Sequence, residues 1–163
     1  MSKTNRAPIT LPPPHHIAIA VSNLEVAIDG YRNILGIVAW ELIEVKPPIL
    51  HKQIYLGKPA DFTYKLAFVK IGPIQLELVQ PVSGRNAYSD FLAEHGEGLH
   101  HIGYTVDDIE ETTLSMNKQG FATLMSGGFL DGGFAYYDTV DSLKCILEAY
   151  QEPKATPPIT HYP

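Results

Sequence analysis

The spacing of apolar residues predicts a strand that leads into a helix near the start of the chain. In residues 15–21, isoleucine and valine alternate with His16 and two alanines, the period of two that is typical of a strand. Ser22 suits a helix N-cap, with Glu25 at capping-box spacing. Helical periodicity continues to residue 35, and Gly36 suits a left-handed stop.

The same pattern recurs 85 residues later in the chain. Residues 15–25 read HHIAIAVSNLE, and residues 100–110 read HHIGYTVDDIE. The paired histidines, the isoleucine, the valine and the glutamate coincide without a gap, which indicates a duplicated structural unit. In the second copy, Asp107 is predicted to cap a helix that ends near Gly120.

Further strands are predicted in both halves, and a short helix is predicted between the halves at residues 86–94. The predicted strands lie near residues 37–45, 64–71, 74–79, 121–125, 133–139 and 144–150. Each half therefore follows the order strand–helix–strand–strand–strand, which makes the fold class α+β.

We expect one domain at residues 15–151. It would consist of two βαβββ modules, at about residues 15–81 and 100–151, joined by a helical linker at residues 82–99. The proline-rich residues 1–14 and 152–163 are expected to be tails, because proline rarely joins a central sheet.

One histidine and one glutamate in each half fall on strand faces with room for a cavity. His16 shares its face with two alanines, and His101 shares its face with a glycine and a threonine. Glu77 and Glu148 lie opposite the apolar residues of the last strand of each half. His15 and the equivalent His100 fall on the bulky face by parity, where they would lie at strand edges or support the neighbouring histidines.

A single strand histidine or glutamate is more often a packed or solvated residue than a ligand. Four of them at equivalent places in two repeats favour a metal site, because a carboxylate buried in a strand needs a partner. Imidazole and carboxylate ligands suit Zn, Ni, Co, Mn or Fe. We therefore predict one divalent ion held by His16, Glu77, His101 and Glu148, and no nucleotide cofactor.

Composition excludes several function classes. Twelve basic against eighteen acidic residues give a net charge of −6, which lacks the footprint of a nucleic-acid binder. No apolar run reaches membrane-spanning length, and residues 1–14 carry no apolar signal segment, so we expect a cytoplasmic protein. The single cysteine, Cys145, excludes an intrachain disulfide framework.

These motifs resemble the vicinal oxygen chelate superfamily, which includes glyoxalase I, methylmalonyl-CoA epimerase, extradiol dioxygenases and antibiotic-resistance proteins. The resemblance covers about residues 15–150. Residues 15–21, 75–81 (QLELVQP), 98–102 (GLHHI) and 106–110 (VDDIE) are most similar to the epimerase branch. The resemblance implies paired βαβββ modules whose mixed sheets curl around a metal site.

The resemblance also implies a chemistry. It carries ligand roles onto His16, Glu77, His101 and Glu148, with Gln75 as a substitute ligand or substrate contact. A divalent ion would polarise a carbonyl while a carboxylate, here Glu148, removes the neighbouring proton. The acid that the epimerases place on the strand at residues 64–68 is absent from this sequence. Glu44, His51 and Asp138 are weaker candidates for that role.

The expected function is that of a metal-dependent isomerase or epimerase acting on a carbonyl or acyl-CoA compound. The alternatives are a glyoxalase I-type lyase or isomerase and a non-catalytic binding or resistance protein. An extradiol dioxygenase is disfavoured, because four ligands leave few open positions on the metal. We also expect a homodimer.

Further substrate contacts are expected from the insert at residues 46–59 and from a tyrosine pair. His51 lies in the insert, whose lysines would either meet an anionic substrate or simply be solvated. One of the adjacent Tyr136 and Tyr137 should face the cavity, and Tyr137 is the candidate carried forward.

Overall fold

The structure, a computed structural model, describes residues 8–163. Within them eleven strands form one sheet, accompanied by four helices. The strands are β1 (His16–Ala20), β2 (Glu41–Val45), β3 (Leu50–Tyr55), β4 (Lys58–Pro59), β5 (Thr63–Ile71), β6 (Ile74–Ser83), β7 (Gly98–Thr105), β8 (Thr123–Phe129), β9 (Gly132–Tyr137), β10 (Ile146–Gln151) and β11 (Thr160–His161). The helices are α1 (Leu24–Leu35), α2 (Ala87–His95), α3 (Ile109–Lys118) and α4 (Val140–Leu143).

The two modules lie side by side in this sheet. The strand order is β11-β2-β5-β6-β1-β7-β10-β9-β8-β3-β4, so the first strand of each module is at the centre. β1 and β7 pair with each other antiparallel, and each pairs with the last strand of its own module in parallel. The predicted strand–helix–strand–strand–strand order is thus found in both halves, with β3 and β4 added in the first half and α4 in the second.

The sheet is mixed and curls into a half-barrel. Strands that are far apart in the sheet order, such as β2 and β9, contribute to one buried cluster on the concave side. Ile43, Val79, Met125 and Phe134 belong to this cluster. The expected fold class is therefore confirmed, with the concave face turned toward a shared interior.

Helices α1 and α3 cover the convex face, whereas α2 packs against the concave cluster. Leu24 and Ile28 of α1 pack with Trp40 and Leu78 in one cluster, and α3 packs against β9 and β10 in another. The bulky residues of the central strands point to these helices, as the alternation predicts. The opposite residues, including His16 and Glu148, are thereby directed into the half-barrel.

Both module helices begin one residue later than the sequence predicts. The N-cap of α1 is Asn23, whose side chain accepts from the backbone N–H of Val26 at 3.0 Å, and the N-cap of α3 is Asp108. Ser22 instead donates its backbone N–H to Glu97. Asn23 and Asp108 thus take the cap in place of Ser22 and Asp107, at equivalent positions of the repeat.

The insert at residues 46–59 is not a plain loop. It contains the β3–β4 hairpin, and β3 pairs antiparallel with β8 of the second module. Leu50 is buried there against the concave cluster. The first module thus extends the outer edge of the second, which fastens the two halves together beyond their central pairing.

The proline-rich ends lie against the body where the structure describes them. Residues 160–161 form β11 on the edge of β2, and Tyr162 donates its backbone N–H to the carbonyl of Trp40 at 3.0 Å. Ile9 and Leu11 pack near α3, while residues 1–7 of the predicted N-terminal tail lie outside the described residues. Across residues 8–163, no helix has the length and apolarity to span a bilayer.

We expect Asn86→Ala to destabilise the fold by about 1–2 kcal/mol, because it removes the buried cap of α2. The Asn86 side chain accepts from the backbone N–H groups of Tyr88 and Ser89. Urea denaturation followed by circular dichroism measures the change. Asn33→Ala, at an exposed site within α1, is the control and should change stability by less than about 0.5 kcal/mol. Equal losses for both variants would contradict the capping role.

Candidate metal centre

Three side chains from three adjacent strands meet inside the half-barrel. The Nε2 atom of His16 (β1) lies 2.6 Å from Oε2 of Glu148 (β10) and 3.2 Å from Nε2 of His101 (β7). His101 Nε2 is 3.0 Å from the same carboxylate oxygen. All three residues are at least 94 % buried. Each presents a donor atom to the same point, which is the arrangement of a metal site.

Glu77 borders this group from β6. Its Oε1 lies 3.9 Å from Nε2 of His101, and the residue is 8 % exposed. Within residues 8–163, the tightest cluster of metal-ligating groups is His16, His101 and Glu148, with Glu77 just outside it. The four residues predicted from the repeat are thus brought together, three closely and one at a longer distance.

The donor set fits a divalent ion. Ligand atoms about 2.1 Å from a tetrahedral zinc ion lie roughly 3.4 Å from one another, close to the separations of the two imidazoles and Glu148. Two buried carboxylates also need positive charge nearby. Lysine and arginine do not supply it, since none of the described residues of either type lines this cavity.

The pKa shifts of these residues also indicate that the site attracts positive charge. Burial raises the pKa of Glu77, and in Glu148 the charges and hydrogen bonds of His16 and His101 outweigh burial and hold the pKa well below its usual range. Burial acts to lower the pKa of His16, but Glu77 and Glu148 outweigh it and raise that pKa to about 9. The carboxylates therefore draw positive charge to this point.

A second histidine supports each imidazole. Nδ1 of His15 lies 2.9 Å from Nδ1 of His16, and Nδ1 of His100 lies 2.8 Å from Nδ1 of His101. These contacts leave the Nε2 atoms facing the centre. Metal-binding histidines are commonly oriented through the other ring nitrogen in this way.

Parity predicted the bulky face for both supporting histidines, but His15 lines the cavity and His100 contacts His101. Ala18 pairs with His101 and the next residue of β1 pairs with Leu99, so His100 is the extra residue of a β-bulge. The bulge turns its ring to the site side, where it contacts Tyr88 at a centroid distance of 4.9 Å. Burial and the neighbouring His101 lower the pKa of His100 to about 3, which keeps it neutral.

A cavity of about 190 Å³ opens beside the cluster and is walled largely by aromatic rings. The hydroxyls of Tyr88 and Tyr136 lie 2.5 Å apart within this wall, and Tyr64 contacts the ring of Tyr88. Burial raises the pKa of all three tyrosines, so their hydroxyls stay protonated.

The structure places one of the other predicted substrate contacts at the cavity and two of them away from it. Gln75 lines the cavity, whereas His51 lies on β3 with Nε2 at 2.8 Å from the carbonyl of Leu130, away from the lining. Tyr136 faces the cavity, and the predicted Tyr137 instead packs under α3, where its hydroxyl lies 2.8 Å from that of Thr113. Strand parity at β9 decides between the neighbouring tyrosines.

The weaker acid and base candidates also fall outside the cavity. Glu44 pairs with Lys46 on the surface, and Asp138 is exposed beyond β9. The sequence reasoning missed Glu152, which lines the cavity and lies 3.7 Å from Nε2 of His15. Glu152 falls on the same strand face as Glu148 by period-two alternation, which was the available signal. It was missed because the predicted domain ended at residue 151.

Comparison with known proteins agrees with this geometry. Residues 15–137 match the family model described as the glyoxalase/bleomycin resistance protein/dioxygenase superfamily. The chain belongs to this superfamily. The match spans β1 to β9 and includes the central strands that carry His16, Glu77 and His101.

Curated relatives within the superfamily include epimerases. The ethylmalonyl-CoA/methylmalonyl-CoA epimerase of Cereibacter sphaeroides is 31 % identical over 114 residues, which are 69 % of this chain and 75 % of the relative. Human mitochondrial methylmalonyl-CoA epimerase is 28 % identical over 111 residues, 68 % of this chain and 55 % of the relative. The chain spans 64 % of another relative, the uncharacterized Bacillus subtilis protein YqjC, at 28 % identity.

Solved structures share the fold. A methylmalonyl-CoA epimerase in complex with methylmalonyl-CoA and NH4+ has a TM-score of 0.60 at 18 % identity, covering 91 % of this chain and all of the other. A hypothetical Bacillus halodurans protein has a TM-score of 0.61 at 22 % identity, covering 88 % of this chain and 96 % of the other. At this identity the likeness establishes the superfamily fold.

Gly103→Ala should destabilise the site locally, by about 1–3 kcal/mol. A Cβ atom at Gly103 would lie 2.0 Å from the ring of His16, so the imidazole would have to leave its contacts with His15 and Glu148. Gly98→Ala, on the same strand, is the control, because a Cβ there meets no atom within 4 Å. Thermal unfolding and the histidine NMR resonances report the two effects. An unshifted His16 resonance in Gly103→Ala would contradict the packing.

Proposed function

We propose that this protein is a divalent-metal-dependent isomerase or epimerase, of the methylmalonyl-CoA epimerase-like type, that moves a proton next to a carbonyl group. The observation that carries the proposal is the buried cluster of His16, His101 and Glu148, bordered by Glu77, beside a cavity walled largely by aromatic rings. The epimerases among the relatives support the reaction class.

The proposed ligands are His16, Glu77, His101 and Glu148. When bound, a divalent ion supplies Lewis-acid polarisation of a carbonyl oxygen. His15 and His100 hold the two imidazoles through their Nδ1 atoms, so that both Nε2 atoms keep their direction. The aromatic wall excludes water from the point where they converge.

Glu148 is the proposed base. Its carboxylate lies at the junction of the ligand cluster and the cavity, where it can accept a proton from the carbon beside the carbonyl. The wall opposite is apolar, since Leu66 and Phe68 of β5 line it where the epimerases were expected to carry an acid. Glu152 is the remaining carboxylate in the lining, and it is the candidate to accept or donate a proton at the cavity mouth.

The metal requirement is tested first. We expect about one Zn²⁺, Co²⁺ or Mn²⁺ per chain after supplementation, measured by plasma mass spectrometry. His101→Ala should lower metal affinity at least about tenfold, because an imidazole ligand is lost. His95→Ala, an exposed histidine on α2, should leave affinity unchanged. Substoichiometric metal in folded protein would rule out the proposed chemistry.

Proton transfer is tested with solvent deuterium. The metal-loaded protein should catalyse exchange into a carbonyl compound from a panel containing methylmalonyl-CoA and 1-phenyl-1,2-propanedione, followed by NMR. Glu148→Gln should slow exchange by about 10²- to 10⁴-fold. Glu94→Gln, which changes an exposed carboxylate on α2, should not slow it. Loaded protein that exchanges none of these compounds would favour a non-catalytic binding protein.

A further inference from the structure

The lining of the cavity combines many aromatic side chains with a small volume. Of the sixteen described residues that line it, seven are Phe or Tyr. Its volume of about 190 Å³ lies below the usual range for ligand pockets, which begins at about 300 Å³. The space therefore suits a compact, flat apolar body that can stack on rings.

The charges around the cavity disfavour an anion. Within residues 8–163, the lining contains three carboxylates, Glu77, Glu148 and Glu152, and neither lysine nor arginine. A divalent ion would be neutralised by Glu77 and Glu148, while Glu152, 3.7 Å from Nε2 of His15, is largely exposed to solvent. An anionic substrate would then lose its hydration in the cavity without a lysine or arginine in the lining to pair with it.

The lysines of the insert do not correct this balance. Lys46 is paired with Glu44 and borders a separate surface groove, and Lys52 and Lys58 are exposed side chains on the β3–β4 hairpin. None of the three lines the cavity. The contact with an anionic substrate considered for these residues is therefore not made within the cavity.

Apart from the histidines and the three carboxylates, the wall also offers neutral polar groups. Gln75 offers an amide, and Tyr88 and Tyr136 offer hydroxyls. Such groups recognise the oxygen atoms of an uncharged molecule through hydrogen bonds without requiring a formal charge. Phe68 lies across from Glu77 in the β5–β6 ladder, so an apolar surface directly adjoins the ligand cluster.

We propose that the substrate is a small uncharged carbonyl compound with an aromatic or similarly flat apolar body. The rings would hold that body, the hydroxyl and amide groups would orient its oxygens, and no carboxylate or phosphate would enter the cavity. This inference rests on the proposed function for the position of the reacting carbonyl, but the charge preference follows from the lining alone.

A matched pair of probes tests the charge preference. 1-Phenyl-1,2-propanedione is uncharged, and benzoylformate carries a carboxylate in place of its acetyl group. In visible-absorption titrations of the cobalt-loaded protein, the dione should bind at least about tenfold tighter. Equal or tighter binding of benzoylformate or of methylmalonyl-CoA would overturn the proposal. So would the absence of saturable binding by the dione.

A charge introduced into the wall should reverse the preference. Leu66→Lys places an ammonium group in the lining and should tighten benzoylformate binding, relative to the dione, by more than the preference of the unmodified protein, about tenfold or more. Leu66→Met is the size-matched control and should keep the order of the unmodified protein. Cobalt-loaded Leu66→Lys that keeps the original order would contradict the charge argument.

The two proposals fail separately. Calorimetry with the same probes on the protein as purified measures the charge preference without added metal. Failure to take up cobalt or to exchange deuterium would contradict the proposed function. The calorimetric comparison of the probes could still be interpreted. A dione that binds well but never exchanges would support the substrate class and reject the isomerase.

Discussion

The structure depends on placing two carboxylates inside a sheet. A buried carboxylate without a partner costs several kcal/mol, and Glu77 and Glu148 are both buried in the concave interior. Their partners are His16 and His101, which come from the first strands of the two modules. The antiparallel pairing of β1 with β7 brings the two imidazoles together. The strand pairing at the centre of the sheet therefore also forms the candidate site.

The duplication explains why so much of this could be predicted from sequence. Period-two alternation in β1 and β10 assigns His16 and Glu148 to the concave face without knowledge of distant contacts, because parity is a local property. The repeat then supplies the second half of the site by equivalence. His101, which shares its strand face with a glycine and a threonine, is placed correctly for the same reason. That glycine, Gly103, leaves the space that the His16 ring occupies.

Non-local pairing accounts for the parts that sequence could not give. The β-bulge at His100 reverses its parity, and it arises from the register between β1 and β7 rather than from any residue in β7. The β3–β4 hairpin forms because β8 offers an open edge, which is invisible in the insert itself. β11 likewise forms against β2, a contact that proline-rich composition alone does not predict. Whether the chain dimerises stays a prediction.

The family relationship bears on the class of reaction, whereas the chemistry of the cavity bears on the choice of substrate. The superfamily match covers the central strands that carry His16, Glu77 and His101, whereas the cavity wall determines which substrate can enter. The wall is where this chain departs from the expected epimerase pattern, because Leu66 and Phe68 stand in place of an acid. Because specificity is set by differences in binding between competing ligands, a few wall residues can redirect an unchanged metal centre toward an uncharged substrate.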